Sequence, residues 1–394
     1  MSPLHKQQRI LILIDFYLPG YRAGGPTRTT ANLVEWLGDD FDFRILTRDR
    51  DMGETVPYAD RTPNTWHQVG KAQVRYLTPN QLNWNMLHEL LRTVEYDVLY
   101  LNTVFSTLTV ICLMLDRLRQ LPDKPIVVAG RGNLSVGAMN IKSTKKWFYL
   151  LPARLLGLYD RVNWHATSEE EVADITRVFG RHHSVRVQQI PNLPTRGMQS
   201  ENISLGRKYP GTAHIIFLAR ISRMKNVEFF LESMRSVEGQ LKVDMWGPIE
   251  DESYWNRCRQ IIETLPASVR VEYRGAVSPE KIADTLAGYH LFYLPTLSEN
   301  FGHVILEALC AGCPILISDR TPWRGLQEHG IGWDLPLEEP ARFTKALQTV
   351  IDADELTLHA MAQAARAYGI AYIQQTDSIR NTRNFLLDLV QNSG

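Results

Sequence analysis

Two series of short apolar runs, each run separated from the next by a helical pattern, constrain this 394-residue chain more than any other feature. In the first series, residues 9–14, 43–46, 74–77, 98–101, 126–129, 162–166 and 185–190 read as strands, with helix candidates at 27–37, 82–94, 107–119 and 168–178. The second series has strands at 214–219, 243–246, 271–273, 291–294 and 315–318. Strands apolar on both faces must be covered on both faces, and strands joined by helices run parallel. The pattern predicts two doubly wound α/β domains, each binding ligands at the carboxyl ends of its strands, with the active site in the cleft between them. Pro191 and Pro194, followed by polar, Gly-containing sequence to Pro210, mark the break.

The length also argues for more than one core. Apolar residues at 44% and charged residues at 22% describe an ordinary globular protein. Lys+Arg and Asp+Glu balance at 43 each, so no global field attracts nucleic acid. Cys112, Cys258, Cys310 and Cys313 are too few for a secreted disulfide framework. Cys310 and Cys313 form a CxxC with no second pair or nearby His, which reads as small residues in a crowded helix-to-strand turn. With no signal-peptide pattern and no run of about 20 apolar residues, a cytoplasmic location is expected.

In the second series, the run 291–294 empties into a polar turn carrying Glu299. Gly302 then opens a helical stretch, 303–311, in which Glu307 is the only carboxylate among Val304, Ile305, Leu306, Ala308 and Leu309. A helix so apolar is buried on most sides, and a carboxylate inside it needs a partner. Free N–H groups and the dipole at the helix start favour an anion, so Glu299 and Glu307 would flank a phosphorylated ligand. Spacing alone fits a helix cap plus a solvated Glu equally well. The strand 214–219 leads into Arg220, Arg223 and Lys225 beside another helix start. Alone this is a solvated basic turn; with the two glutamates at another strand end it becomes a diphosphate cradle. Other phosphate motifs fail: Ser135 stands where a dinucleotide fingerprint begun by Gly130 and Gly132 needs glycine, Asn133 spoils a hydrolase elbow, and no Walker A occurs.

Residues 219–226, with Arg220, Lys225 and Asn226, resemble the G-R-[IL]-x-x-x-K-[NG] segment of family 4 retaining glycosyltransferases, and Glu299 with Glu307 matches that family's E-x7-E motif. Pro191-Asn192 is similar to the interdomain P-N-G-V element, with Leu193 in place of glycine. Residues 19–26 with Gly24 and Gly25, 131–135, and 165–171 from His165 to Glu171 are also similar. Residues 321–324 and 329–333, which include Trp323 and Gly332, resemble the branch that makes bacterial surface polysaccharides.

The resemblance spans nearly the whole chain and implies a GT-B fold, two Rossmann-like domains facing each other across a cleft. It implies an acceptor-binding domain 1–193, a nucleotide-sugar-binding domain 194–375, and a helix within 376–394 that crosses back to the first. Arg220 and Lys225 would hold the donor diphosphate, Glu307 would accept from the ribose hydroxyls, and Glu299 would lie by the donor sugar. Backbone N–H groups of Phe301, Gly302, His303 and Val304 would meet sugar or phosphate. In the Gly24-Gly25 pair, Gly25 would let the first domain's loop approach the diphosphate. Many members have a His after the strand that here ends at Ala129; this chain has Arg131. Arginine stays charged where histidine can shuttle a proton, so Arg131 would bind donor sugar or acceptor anion rather than act as a base.

Breaking an anomeric bond leaves negative charge on the nucleoside diphosphate, which fixed cations stabilise without a metal. Asp49 and Asp51 spell D-x-D but read as a polar loop. The expected activity is cofactor-free, metal-independent transfer, with retained configuration, from a nucleotide-diphosphate sugar to a glycan or lipid-linked acceptor. The setting would be exopolysaccharide, capsule or lipopolysaccharide synthesis. Competing readings are a phosphorylase, a sugar-nucleotide epimerase, or a non-catalytic sugar-nucleotide binder, which should have lost one of the four charged residues. Residues 142–154 mix basic and aromatic side chains, read either as a helix packing its aromatics on the first domain or as a peripheral contact with anionic membrane. Residues 181–183, Arg181-His182-His183, read as a loop.

Overall fold

The computed structural model describes residues 7–140, 143–180, 185–197 and 206–391; Lys142 and Arg181 to His183 lie outside them. The chain divides into two compact units, Met1–Arg196 with Asp377–Gly394, and Gly197–Thr376.

In chain order the first unit contains β1 (Gln8–Leu13), α1 (Gly25–Leu37), β2 (Phe41–Arg48), β3 (Trp66–Val69), β4 (Ala72–Leu77), α2 (Trp84–Thr93) and β5 (Val98–Asn102). Then come α3 (Thr107–Arg117), β6 (Ile126–Ala129), α4 (Val136–Asn140), α5 (Ser143–Leu155), β7 (Asn163–Ala166), α6 (Glu169–Phe179) and β8 (Arg186–Gln189). Its sheet runs β3-β4-β2-β1-β5-β6-β7-β8. Every pairing is parallel except β3 with β4, a hairpin. The central strands β5 and β6 are buried at every residue, as the apolar runs require. The hairpin strand β3, with His67 and Gln68, carries none of that signal because it is a half-exposed edge.

The second unit contains β9 (Thr212–Leu218), α7 (Val227–Glu232), β10 (Gln240–Trp246), α8 (Glu252–Glu263), β11 (Val269–Gly275) and α9 (Ile282–Leu286). It continues with β12 (Leu291–Leu294), α10 (His303–Cys310), β13 (Ile315–Ser318), β14 (Gly332–Leu335), α11 (Pro340–Asp352) and α12 (Glu355–Gln375). The sheet is wholly parallel, in the order β11-β10-β9-β12-β13-β14. The last helix, α13 (Ser378–Gln391), belongs to the first unit, where Leu386 joins the core beneath β1 and β5. Asn83, Ser106, Ser168, Asp251 and Asp354 each accept a backbone N–H in the first turn of the helix they precede. Such caps are worth about 1 kcal/mol each. No helix among the described residues is long and apolar enough to cross a membrane.

In α5 the expected inward packing of the aromatics holds only in part. Tyr149 packs on Phe105, and its hydroxyl meets that of Tyr159 at 2.8 Å. Trp147 and Phe148 face solvent. Cys310 and Cys313 are buried in the turn between α10 and β13, and Gly369 of α12 lies so close to Cys310 that a Cβ there would sit 2.9 Å from its sulfur.

Lys208 is buried where the chain enters the second unit, and its ammonium donates to the carbonyls of Tyr209, Ile351 and Ala353 at 3.0, 2.8 and 2.7 Å. The last two carbonyls close the C-terminus of α11, where a cation also meets the negative end of the helix dipole. Replacing Lys208 by Met should cost about 2–3 kcal/mol, because buried acceptors lose their donor. Denaturant unfolding would detect this as a lowered midpoint; an unchanged midpoint would mean the three bonds are dispensable.

Candidate functional site

In the second sheet the strand order reverses between β9 and β12, and ligands of open α/β sheets bind outside the carboxyl ends at such a reversal. Both charged motifs emerge there. Beyond β9, Ile221 donates its N–H to Pro248 at 2.9 Å and accepts from Glu250 at 3.1 Å. That bridge sets Glu250 beside Arg220, whose guanidinium Nη1 donates to Oε2 at 2.8 Å. Nothing in the sequence motif announced Glu250. The chain then makes one tight turn, Arg223–Lys225, and leaves it through Asn226 at φ 56°. A left-handed residue at that point explains why Asn or Gly suits the position. Arg223 turns aside toward Asp251 and the Tyr254 ring.

Lys225 points the other way. Its Nζ lies 2.5 Å from Glu299 Oε2, and the two side chains are only 13% and 18% exposed. A chain of bonds holds the two loops in this register. Leu297 N–H and the Thr296 hydroxyl both donate to the Met224 carbonyl, at 2.8 and 3.0 Å. Glu299 N–H donates to the Arg320 carbonyl at 2.9 Å, and the Ser318 hydroxyl donates to Thr296 O at 2.5 Å. The indole of Trp323 donates to the carbonyl of Phe301 and packs tilted against Tyr372 of α12, with ring centroids 4.9 Å apart. Trp323, which entered as a mark of resemblance, therefore props the loop that carries Glu299.

Gly302 opens α10 at φ 78°, and a Cβ there would meet Ile305 Cδ1 at 2.7 Å and Glu299 Cγ at 3.1 Å. No side chain caps this helix start, so its dipole and backbone donors lie beside the Lys225–Glu299 pair. His303 meets Phe301 edge-on, with ring centroids 4.8 Å apart, and Val304 is partly buried. Glu307 is 6% exposed, buried as its apolar helix demanded, and it has an interaction within the chain. With Arg366 it acts on Cys310, whose thiol is pushed up to about 12, mainly by burial.

In the first unit Arg131 follows β6 at φ 52°. Its Nε, Nη1 and Nη2 donate to Asn102 Oδ1 at 3.2 Å, Asn192 Oδ1 at 2.7 Å and the Tyr100 hydroxyl at 3.1 Å. Three of the five guanidinium N–H groups thus serve the unit's own framework, and two remain for other bonds. The Tyr100 hydroxyl lies 2.6 Å from His165 Nδ1, and His165 Nε2 lies 3.0 Å from the Ile190 carbonyl. A carbonyl only accepts, so Nε2 carries the proton and the tyrosine donates to Nδ1. Burial first, and then Arg131, lower the His165 pKa to about 3. Glu171 latches the same loop, accepting from Gly132 N at 2.7 Å, Thr167 N at 2.7 Å and the Thr167 hydroxyl at 2.9 Å.

Of the glycine pair, Gly24 takes φ 73° at the start of α1, while a Cβ on Gly25 would point into open space. The carboxylates of Asp49 and Asp51 serve the protein itself. Asp51 accepts from the N–H groups of Tyr21, Arg22 and Met52, which fixes the loop before Gly24, and Asp49 pairs with Arg50.

The neutral buried His165 has a consequence for stability. Its folded pKa lies below the ordinary 6.5, so the unfolded chain takes up the proton first as pH falls, and folding stability is lost in that direction. For this one group the loss between pH 7 and 5 should be about 2 kcal/mol. His214 and His290 are lowered too, chiefly by burial, so the wild type should be compared with His165→Gln. The variant should show a shallower pH dependence in denaturant melts; equal slopes would remove His165 as a source.

Residues 199–368, most of the second unit, match the family model described as glycosyl transferases group 1. The D-inositol 3-phosphate glycosyltransferase of Paenarthrobacter aurescens is 23% identical over 184 residues, 45% of this chain and 45% of that protein. The chain thus spans under half the length of the curated relatives it matches. Among solved structures, sucrose-phosphate synthase from Thermosynechococcus elongatus superposes with a TM-score of 0.71 at 17% identity, covering 98% of this chain and 100% of that one. Anabaena HepE, solved with UDP and glucose, gives 0.71 at 16% identity over 98% and 100%. WaaG, a glycosyltransferase involved in lipopolysaccharide biosynthesis, gives 0.63 at 13% over 97% and 99%. The chain has the GT-B fold of two Rossmann-like domains, and the match to the group 1 glycosyl transferases lies within its second unit.

Proposed function

We propose that this protein is a retaining, metal-independent glycosyltransferase that moves a sugar from a nucleotide-diphosphate donor to a glycan or lipid-linked acceptor in cell-surface polysaccharide synthesis. The observation that carries the reading is the half-buried Lys225–Glu299 pair beside the uncapped start of α10, at the strand-order reversal of the second sheet. A cation, a carboxylate and a helix N-terminus converge there, and a diphosphate supplies what the first and third want.

In this reading the donor diphosphate takes over Lys225 from Glu299 and also meets Arg220. Glu299, released, accepts a hydroxyl of the donor sugar, while Glu307 accepts from the ribose. The N–H groups of Phe301, Gly302, His303 and Val304 meet sugar or phosphate oxygens. As the anomeric bond breaks, charge grows on the leaving diphosphate, and preorganised Lys225 and Arg220 stabilise it with no proton transfer. The acceptor attacks from the face the diphosphate leaves, its proton passing to a diphosphate oxygen, so configuration is retained. In the first unit, Gly24, Gly25 and the two remaining N–H groups of Arg131 are assigned to the donor or the acceptor. The reading includes a cytoplasmic location, which four free, buried cysteines support.

Thermal-shift screening against UDP-, GDP- and ADP-sugars should single out one base, since a bound donor raises apparent stability by mass action. With that donor, Lys225→Ala should lower turnover by about 10²–10³-fold, the range seen when one preorganised charge-stabilising group is removed. The variant should retain its circular dichroism. Undiminished turnover would refute the site, and phosphorolysis or epimerisation in place of transfer would refute the reaction.

A further inference from the structure

Helix α5 begins at the sheet end that carries Arg131, because the loop after β6 passes through residues 130–135 into α4 and then α5. Along it, Trp147, Phe148, Leu151 and Leu155 are 52%, 78%, 60% and 80% exposed, and Leu156 just beyond is also exposed. Positions 147, 148, 151 and 155 recur at helical spacing, so they share one face. The opposite face is the one that packs: Leu150, Ala153 and, past the helix, Leu158 are core residues. Arg117 Nε donates to the Leu156 carbonyl at 2.6 Å, which brings the end of α3, where Met114 and Leu118 are also exposed, against the end of α5. Water thus faces an aromatic and aliphatic strip along α5, and such a strip marks an interaction surface.

Charge selects the occupant. From residue 141 to 159 the sequence holds Lys142, Lys145, Lys146 and Arg154, and no Asp or Glu, although the chain as a whole is neutral. A basic segment around an exposed Trp-Phe-Leu face is the composition of a helix that lies in a bilayer interface, its apolar side among acyl chains and its cations at anionic headgroups. A second copy of the chain would bring the same positive segment against itself. We propose that the α5 face docks this protein on an anionic lipid surface. The inference rests on the transferase reading for its purpose: a lipid-linked acceptor would be met at the sheet end from which α5 starts.

The test is co-sedimentation of the full-length chain with phosphatidylglycerol-containing vesicles, beside pure phosphatidylcholine vesicles. Binding should require the anionic lipid and weaken as ionic strength rises. Phe148→Asp and Leu155→Asp should each lower partitioning at least about tenfold. Both positions are exposed, so both variants should keep the wild-type melting temperature and the wild-type turnover of a water-soluble acceptor. Tryptophan emission should shift to the blue on vesicle addition, and this shift should shrink in Trp147→Phe. Failure to bind anionic vesicles, equal binding to both vesicle types, or binding untouched by the two Asp variants would each overturn the proposal. So would a concentration-dependent dimer that the same variants abolish, since a second copy would then cover the face. Loss of turnover in Lys225→Ala with no effect on vesicle binding would keep this inference and the transferase reading separately testable.

Discussion

The ion pair between Lys225 and Glu299 organises the candidate site of the second unit. Two opposite charges in contact, mostly shielded from water, attract each other by several kcal/mol at the effective dielectric of a protein interior near its surface. Much of that attraction offsets the cost of desolvating them. The pair can therefore be held in place and still be separable, provided an incoming anion satisfies the lysine. The backbone bonds from Leu297 and Thr296 to Met224 make this possible: they fix the two loops whether or not the side chains touch. Rigid loops with one exchangeable contact suit a donor site, because little has to be reorganised when charge appears on the leaving group.

The first unit solves a different problem. Arg131, Asn102, Asn192, Tyr100 and His165 form a polar network whose bonds all run in one consistent direction, from guanidinium to tyrosine to imidazole to the Ile190 carbonyl. An arginine so tied fixes a left-handed turn beyond β6 and adds to burial in keeping His165 neutral. Arg131 thus does structural work with three of its N–H groups. Its proposed contact with substrate rests on the remaining two.

How much of this was legible beforehand depends on the kind of signal. Strands such as β6, β12 and β13 are buried at every residue and stood out as unbroken apolar runs. The edge strand β3 was missed because its Trp66, His67 and Gln68 are not core residues. The burial of Glu307 followed from the helix around it. Glu250 did not announce itself, nor did the roles of Asp51 and Trp323, since each acts through a partner far away in sequence: Arg220, the backbone of Tyr21 and Arg22, and the Phe301 carbonyl. Polar residues of that kind have no periodicity. The exposed face of α5 was legible as composition, but its orientation depends on which side the core claims.

The central claim is that Glu299 occupies Lys225 until a diphosphate replaces it. Calorimetric titration of the nucleoside diphosphate from the preferred donor into wild type and Glu299→Gln measures this directly. A freed lysine should bind the bare nucleotide more tightly, by about threefold to tenfold, the effect of removing a competing carboxylate from a partly shielded pair. Equal or weaker nucleotide binding in Glu299→Gln would contradict the account.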